Sequence, residues 1–234
     1  MISSSTRKPT ARSDGNEQAR IIGAEIPPLS SLDGPVSVLI VGEAPGPRGA
    51  DKSGVPFLGD AAGKHLYLAL RRLGAVTLPD DMDSIPWDGA KLRAAGFHPI
   101  ANGVALTNAF NRCPTDDGRR FRAPTRDELE GPANTSRLSD EISEYLKRGL
   151  RGVVTLGKVA ERTITRVVKL NFADQVTVYP VPHPSAQGLL SMAPNRGRGA
   201  RMSDLQAQWM EQCMQTIRSA GFHGQASNNV QASI

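Results

Sequence analysis

The chain has 234 residues, 39% hydrophobic and 22% charged, which excludes a collagen-like or wholly disordered protein and suits one large domain with loose ends. Basic residues exceed acidic ones by 28 − 23 = +5, a balance that suits a polyanionic partner without specifying one. The opening residues lack the apolar stretch of a secretory signal, and no run approaches the roughly 18 apolar residues of a membrane span, so a soluble, cytoplasmic protein with no membrane contact is expected.

Residues 1–33 are rich in Ser, Arg, Gly, Pro and Asn and read as a disordered N-terminal arm ending at the turn Leu32-Asp33-Gly34-Pro35. The uniformly apolar, β-branched run over 36–41 has the pattern of a strand buried on both faces of a parallel sheet, and it stops at Gly42. Residues 60–73 place Leu66, Leu70 and Leu73 at helical spacing behind Asp60 as N-cap, with Gly74 as C-cap. A connecting insert over 77–103 carries one short helix at 89–95. A second strand covers 103–107 and delivers Asn108.

A basic loop then leads into a helical stretch over about 127–150, interrupted at Gly131-Pro132. The third strand is 152–156, followed by an amphipathic helix from Gly157-Lys158 to Val168. The fourth strand, 175–181, runs into Pro182-His183-Pro184-Ser185, and the last helix spans 203–220 before a flexible tail at 223–234. This alternation predicts an α/β fold: a three-layer αβα sandwich around a central, mainly parallel four-stranded sheet, built from residues 34–222.

In such a sheet the ligand site lies beyond the carboxyl ends of the strands. Glu43, held among Gly, Ala and Pro, has the makings of a partly desolvated general base, with a loop salt bridge as the alternative. The Asn108 carboxamide can read a base edge that presents N–H beside C=O, as uracil does, or can cap the strand in an Asx turn. Flanking prolines pin the backbone of His183, which suits a side chain held against an anionic leaving group, although a structural histidine fits the same pattern. Phe57 is either a wall on which a base stacks or a core anchor. The loop 42–46 matches neither phosphate-binding glycine motif, so it does not read as a nucleotide cofactor site. Arg119, Arg120, Arg122 and Arg126, with Arg196, Arg198 and Arg201, can straddle a phosphate backbone with Lys158 and Ser185 closer in, or can form a solvated cationic face.

The blocks VGEAPG, GVPFLGDAAG, LTNAFNRCP followed by APT, VVTLG and VPHPSA occur in this order across residues 36–190. As a set they resemble the uracil-DNA glycosylase superfamily. GEAPG is similar to the iron–sulfur family-4 enzymes, while the spacing of GPRGADKSGVPFLGDAAG is more like family 5. Family-4 enzymes ligate a cluster through four cysteines, of which only Cys113 has a counterpart here, so no cluster, other metal or cofactor is expected.

The resemblance implies that Glu43 activates water and that His183 contacts uracil O2, with Gly42, Ala44, Phe57 and Asn108 forming the uracil pocket. Ala44 and Gly46 stand where family-1 enzymes carry an Asp and a bulky Tyr, which leaves exclusion of the thymine methyl open. Gln187 stands where many relatives present a leucine wedge; Leu189, Leu190 or an arginine of GRGAR are the substitutes among which the sequence does not choose. Ser185, Gln187, Lys158, Arg196 and Arg198 are the expected DNA contacts.

The activity implied is that of a monofunctional repair glycosylase, a monomer that flips uracil from DNA, hydrolyses its N-glycosidic bond and leaves an abasic site. Two alternatives remain at this level: a non-catalytic or product-retaining protein that binds uracil-containing or abasic DNA, and a hydrolase of free nucleosides.

Overall fold

The computed structural model describes residues 21–31, 33–79, 84–194 and 199–224. The chain enters through two short strands, β1 (Ile21–Ile22) and β2 (Leu29–Ser30), before β3 (Val38–Gly42), all five residues of which are buried. Next come α1 (Ala50–Ser53), α2 (Ala61–Leu73), β4 (Val76–Thr77), α3 (Gly89–Ala94) and β5 (Ile100–Ala101), with β4 and β5 paired antiparallel. The strand β6 (Val104–Asn108) is followed by β7 (Pro114–Thr115), α4 (Arg126–Glu130) and α5 (Pro132–Lys147). The chain continues through β8 (Gly152–Leu156), α6 (Lys158–Asn171), β9 (Thr177–Val181), α7 (Ala186–Met192) and α8 (Met202–Ser219).

The break between α4 and α5 falls at Gly131-Pro132, as the sequence suggests: Pro132 opens α5, and Thr125 and Glu128 form a capping box on α4. The helices α1 and α7 escape a sequence reading because four and seven residues carry too little periodicity.

The central sheet has the order β2-β6-β3-β8-β9, with β6, β3, β8 and β9 parallel and β2 antiparallel to β6. The expected four strands are therefore five, and the fifth comes from the segment read as a disordered arm. Leu29 and Ser30 pair with Leu106 and Ala105 and cover what would otherwise be an open edge of β6. Ile26 is 3% exposed, and Arg148 Nε donates to the Gly34 carbonyl at 3.0 Å, tying this segment to the end of α5. A two-residue strand has no readable period; its place is fixed by partners more than 70 positions away. Residues 1–20 of the expected arm and 225–234 of the expected tail lie outside the described residues.

Because side chains alternate along a strand, the sheet has two apolar faces. Ile40, Leu106 and Val154 pack against Leu66 and Leu70 of α2 and Trp209 and Ile217 of α8. On the other face Leu39, Val41, Ala105 and Val153 pack against Leu138 and Ile142 of α5 and Ile164 and Val167 of α6. Each such fully buried aliphatic side chain contributes about 1.5–3 kcal/mol of hydrophobic free energy, which stabilises a three-layer sandwich. Register brings the carboxyl ends to one edge: Gly42 faces Asn108, and Leu156 faces Val181. No helix among the described residues is long and apolar enough to cross a membrane.

Candidate active site

At that edge a cavity of about 580 Å³ opens, with Glu43, Ala44, Phe57, Asp60 and His183 in its walls. It adjoins a groove of about 650 Å³ that shares Glu43, His183 and Ser185 and extends to Lys158 and Gln187. The structure thus gathers most of the residues picked from the sequence. Arg196 and Arg198 lie outside the described residues.

Gly42 and Asn108 sit behind the Phe57 ring. A Cβ on Gly42 would stand 2.4 Å from Phe57 Cε1 and 2.8 Å from Asn108 Oδ1, so a side chain there would separate the strand end from ring and amide. Phe57 itself has φ 64, a left-handed conformation that costs a non-glycine residue about 1–3 kcal/mol. Its neighbours hold the turn: Tyr67 Oη donates to the Pro56 carbonyl at 2.8 Å, and Ser53 Oγ donates to the Leu58 carbonyl at 2.8 Å. The ring belongs to the core cluster and also lines the cavity, so the core-anchor and wall readings both hold as geometry.

Glu43 is half-buried, and desolvation raises its carboxyl above the ordinary glutamate value. Among the described residues its carboxylate has no ion-pair partner. Asn108 is 3% exposed, and its side-chain amide makes no hydrogen bond among the described residues, so it does not form an Asx turn. The Asn108 backbone is braced instead: Arg137 Nη2 donates to the carbonyls of Asn108 and Ala109 at 3.0 and 3.1 Å, while its guanidinium pairs with Glu141.

His183 follows β9, and three contacts fix it. The Trp209 indole donates to the Pro182 carbonyl at 2.7 Å, Gly157 packs against the imidazole, and the Ser185 N–H donates to Nδ1 at 3.2 Å. Burial lowers the imidazole pKa, favouring the neutral ring. Ser185 is the N-cap of α7, its Oγ accepting from Gly188 N–H at 3.3 Å, which leaves the hydroxyl proton available to a ligand. Of the wedge candidates, Leu189 is 2% exposed within the core and is removed from consideration, whereas Gln187 is exposed at the groove.

Asp60 is a further correction. It stands at the N-cap position of α2 but makes no side-chain cap. Its carboxylate turns inward, accepting from Ala50 N–H at 3.3 Å and facing the Gly46 and Gly49 amides, and burial pushes its pKa up to about 6. The local sequence carries a genuine cap signal; the loop that Asp60 ties down instead is a tertiary contact.

Cys113 and Cys213 are both buried, with Cys213 in the α8 core, and no group of three or more potential metal ligands gathers among the described residues. Two separate thiols do not fit a cluster that needs about four ligands.

The chain belongs to the uracil DNA glycosylase superfamily, whose family model matches residues 31–205. It is 34% identical over 133 residues to a type-5 uracil-DNA glycosylase of Mycobacterium leprae, covering 56% of this chain and 48% of that protein. Identity to the type-5 uracil-DNA glycosylase of Thermus thermophilus is 32% over 123 residues, covering 53% and 47%. The Pyrobaculum aerophilum protein of the same name is 28% identical over 173 residues, covering 70% and 66%. The matches span about half the length of the first two relatives. These names agree with the family-5-like spacing of residues 46–63. A solved structure, that of wild-type Pedobacter heparinus SMUG2, aligns over 80% of this chain and 76% of that one, with 12% identity and a TM-score of 0.47.

Proposed function

We propose that this chain is a monofunctional uracil-DNA glycosylase, acting as a monomer in the cytoplasm, that extrudes uracil from DNA and hydrolyses its N-glycosidic bond. The observation that carries the reading is the cavity bordered by Glu43, Phe57 and His183, with the Asn108 side chain behind the Phe57 ring. Superfamily membership and the names of the relatives support the substrate class.

Flipping the nucleotide costs a few kcal/mol of unstacking, offset by pocket burial and by phosphate contacts from Lys158, Ser185 and the arginine loop. Phe57 offers a flat face to the base. Asn108 donates to uracil O4 and accepts from N3–H; cytosine presents the reverse pattern and loses about 1–3 kcal/mol for each mispaired group.

As the C1′–N1 bond breaks, its electron pair passes to the base and the sugar becomes cationic, as in glycoside hydrolysis. His183 donates Nε2–H to O2, where the negative charge collects. Glu43 orients a water and takes its proton as the oxygen bonds to C1′. The uracil anion leaves and is protonated from solvent, and the DNA retains an abasic site. Among the described residues no lysine lines the base cavity, and Lys158 stands in the adjoining groove, a placement that supports hydrolysis without strand cleavage.

The test is single-turnover release of uracil from a labelled oligonucleotide, with alkali to reveal abasic sites, beside Glu43→Gln. Product with the parent chain and a rate lower by about 10²–10⁴ in the variant supports the assignment. Tight binding to the uracil or abasic oligonucleotide without any product overturns catalysis in favour of a DNA-binding role.

A further inference from the structure

The loop between β7 and α4 enters the site by a route the motifs did not indicate. Phe121 is 44% exposed, the one Phe, Tyr or Trp so exposed among the described residues, and it lines the same cavity as Glu43 and His183. The loop that carries it is folded. Arg122 N–H donates to the Pro114 carbonyl at 2.9 Å, Gly118 N–H to Thr115 Oγ1 at 3.0 Å, and Arg119 and Arg120 N–H to Asp117 Oδ1 at 2.8 and 2.7 Å. An Arg122–Asp116 ion pair closes the turn. The ring is therefore held at the rim with its surface in water, where hydrophobic burial alone would not leave it.

Arg119 lines the cavity beside Phe121, and Arg120 precedes it. Cations interleaved with an exposed ring suit a nucleic acid, the cations meeting phosphates and the ring meeting a base face. The flipped nucleotide leaves a gap between its neighbours; Leu189 is committed to the core, Leu190 packs partly against it, and Gln187 ends in a polar amide that fills such a gap less well than a ring.

We infer that Phe121 is the residue that stacks against the bases flanking the extruded nucleotide, taking its place in the duplex. This rests on the uracil-DNA reading above. Phe121 supplies stacking to the duplex, Phe57 supplies it to the extruded base, and the two belong to different segments of the fold.

The experiment compares the parent chain with Phe121→Ala and Phe121→Trp. Binding to a 20-base-pair duplex carrying a tetrahydrofuran abasic analogue is read by fluorescence anisotropy over a salt series, and cleavage is read on a single-stranded uracil pentanucleotide. Phe121→Ala is expected to weaken duplex binding about 10-fold, with the slope of log Kd against log salt unchanged because phosphate contacts remain. Phe121→Trp restores binding to within about threefold, and Phe121→Ala lowers pentanucleotide turnover by a clearly smaller factor than it lowers duplex affinity. Unchanged duplex affinity in Phe121→Ala overturns the inference. A loss of pentanucleotide turnover matching the loss of duplex binding also overturns it, by making Phe121 a wall of the base cavity. A parent chain that cleaves nothing sinks the glycosylase reading instead, and the binding arm still decides the role of Phe121.

Discussion

The backbone N–H of Ser185 points at Nδ1 of His183, 3.2 Å away, which puts the proton of the neutral imidazole on Nε2. An imidazolium would carry a second N–H at Nδ1, facing the Ser185 donor, so the contact favours the neutral ring in the same direction as burial does.

The acid limb of the pH–rate profile follows from this pair and from Glu43. Desolvation raises the Glu43 carboxyl, so as pH falls the base is protonated at a pH above its ordinary value of 4.5, and His183 is protonated only below 6.5. The expected outcome is a fall in single-turnover rate with a midpoint above 4.5, and a changed limb in the residual rate of Glu43→Gln, where only His183 is left to titrate. A flat profile down to pH 4.5 would remove Glu43 from the role of base.

Asn108→Asp keeps the size of the side chain and replaces the N–H donor with an acceptor, or with a hydroxyl when protonated. Discrimination against cytosine should shrink by about 1–3 kcal/mol, roughly 5- to 150-fold in relative rate. Matched oligonucleotides with one uracil or one cytosine provide the measurement. Unchanged base preference would mean that Asn108 does not read the base.

Asp60→Asn tests the buried carboxylate through stability. A folded-state pKa of about 6 lies above the ordinary 3.8, so the charged form is disfavoured in the fold. The sign then follows: the penalty is small near pH 4, grows as pH rises through 6 and levels off above 7, where it reaches at most about 3 kcal/mol. The difference in melting temperature, variant minus parent, should therefore rise between pH 4.5 and pH 8. A difference independent of pH would mean that Asp60 is not titrating in this range.

Gly157→Ala strikes the support of His183. At φ 89 and ψ 164 the backbone is in a region that costs other residues about 1–3 kcal/mol. The added methyl would stand 3.0 Å from His183 Cβ. Lower thermal stability together with a lower kcat is expected. Full activity in a destabilised variant would show that His183 tolerates displacement.

Local sequence is enough to indicate the parallel strands and the loops at their carboxyl ends. Apolar runs over 36–41 and 152–156 are patterns that buried parallel strands satisfy, and each breaks at a glycine where the strand ends. Glu43 and His183 are legible because the residues around them stop looking like core. Other features depend on distant partners and emerge only in the folded chain. The antiparallel Leu29–Ser30 edge needs β6, and Asp60 turns from cap to buried carboxylate because the 46–50 loop offers it amides. The His183 tautomer needs the Ser185 turn, and the presence of Phe121 at the cavity rim needs the Asp117 turn. Periodicity records which residues a segment buries; which segment they meet is settled only when the chain closes on itself, where burial and hydrogen-bond satisfaction choose among partners that look alike in sequence.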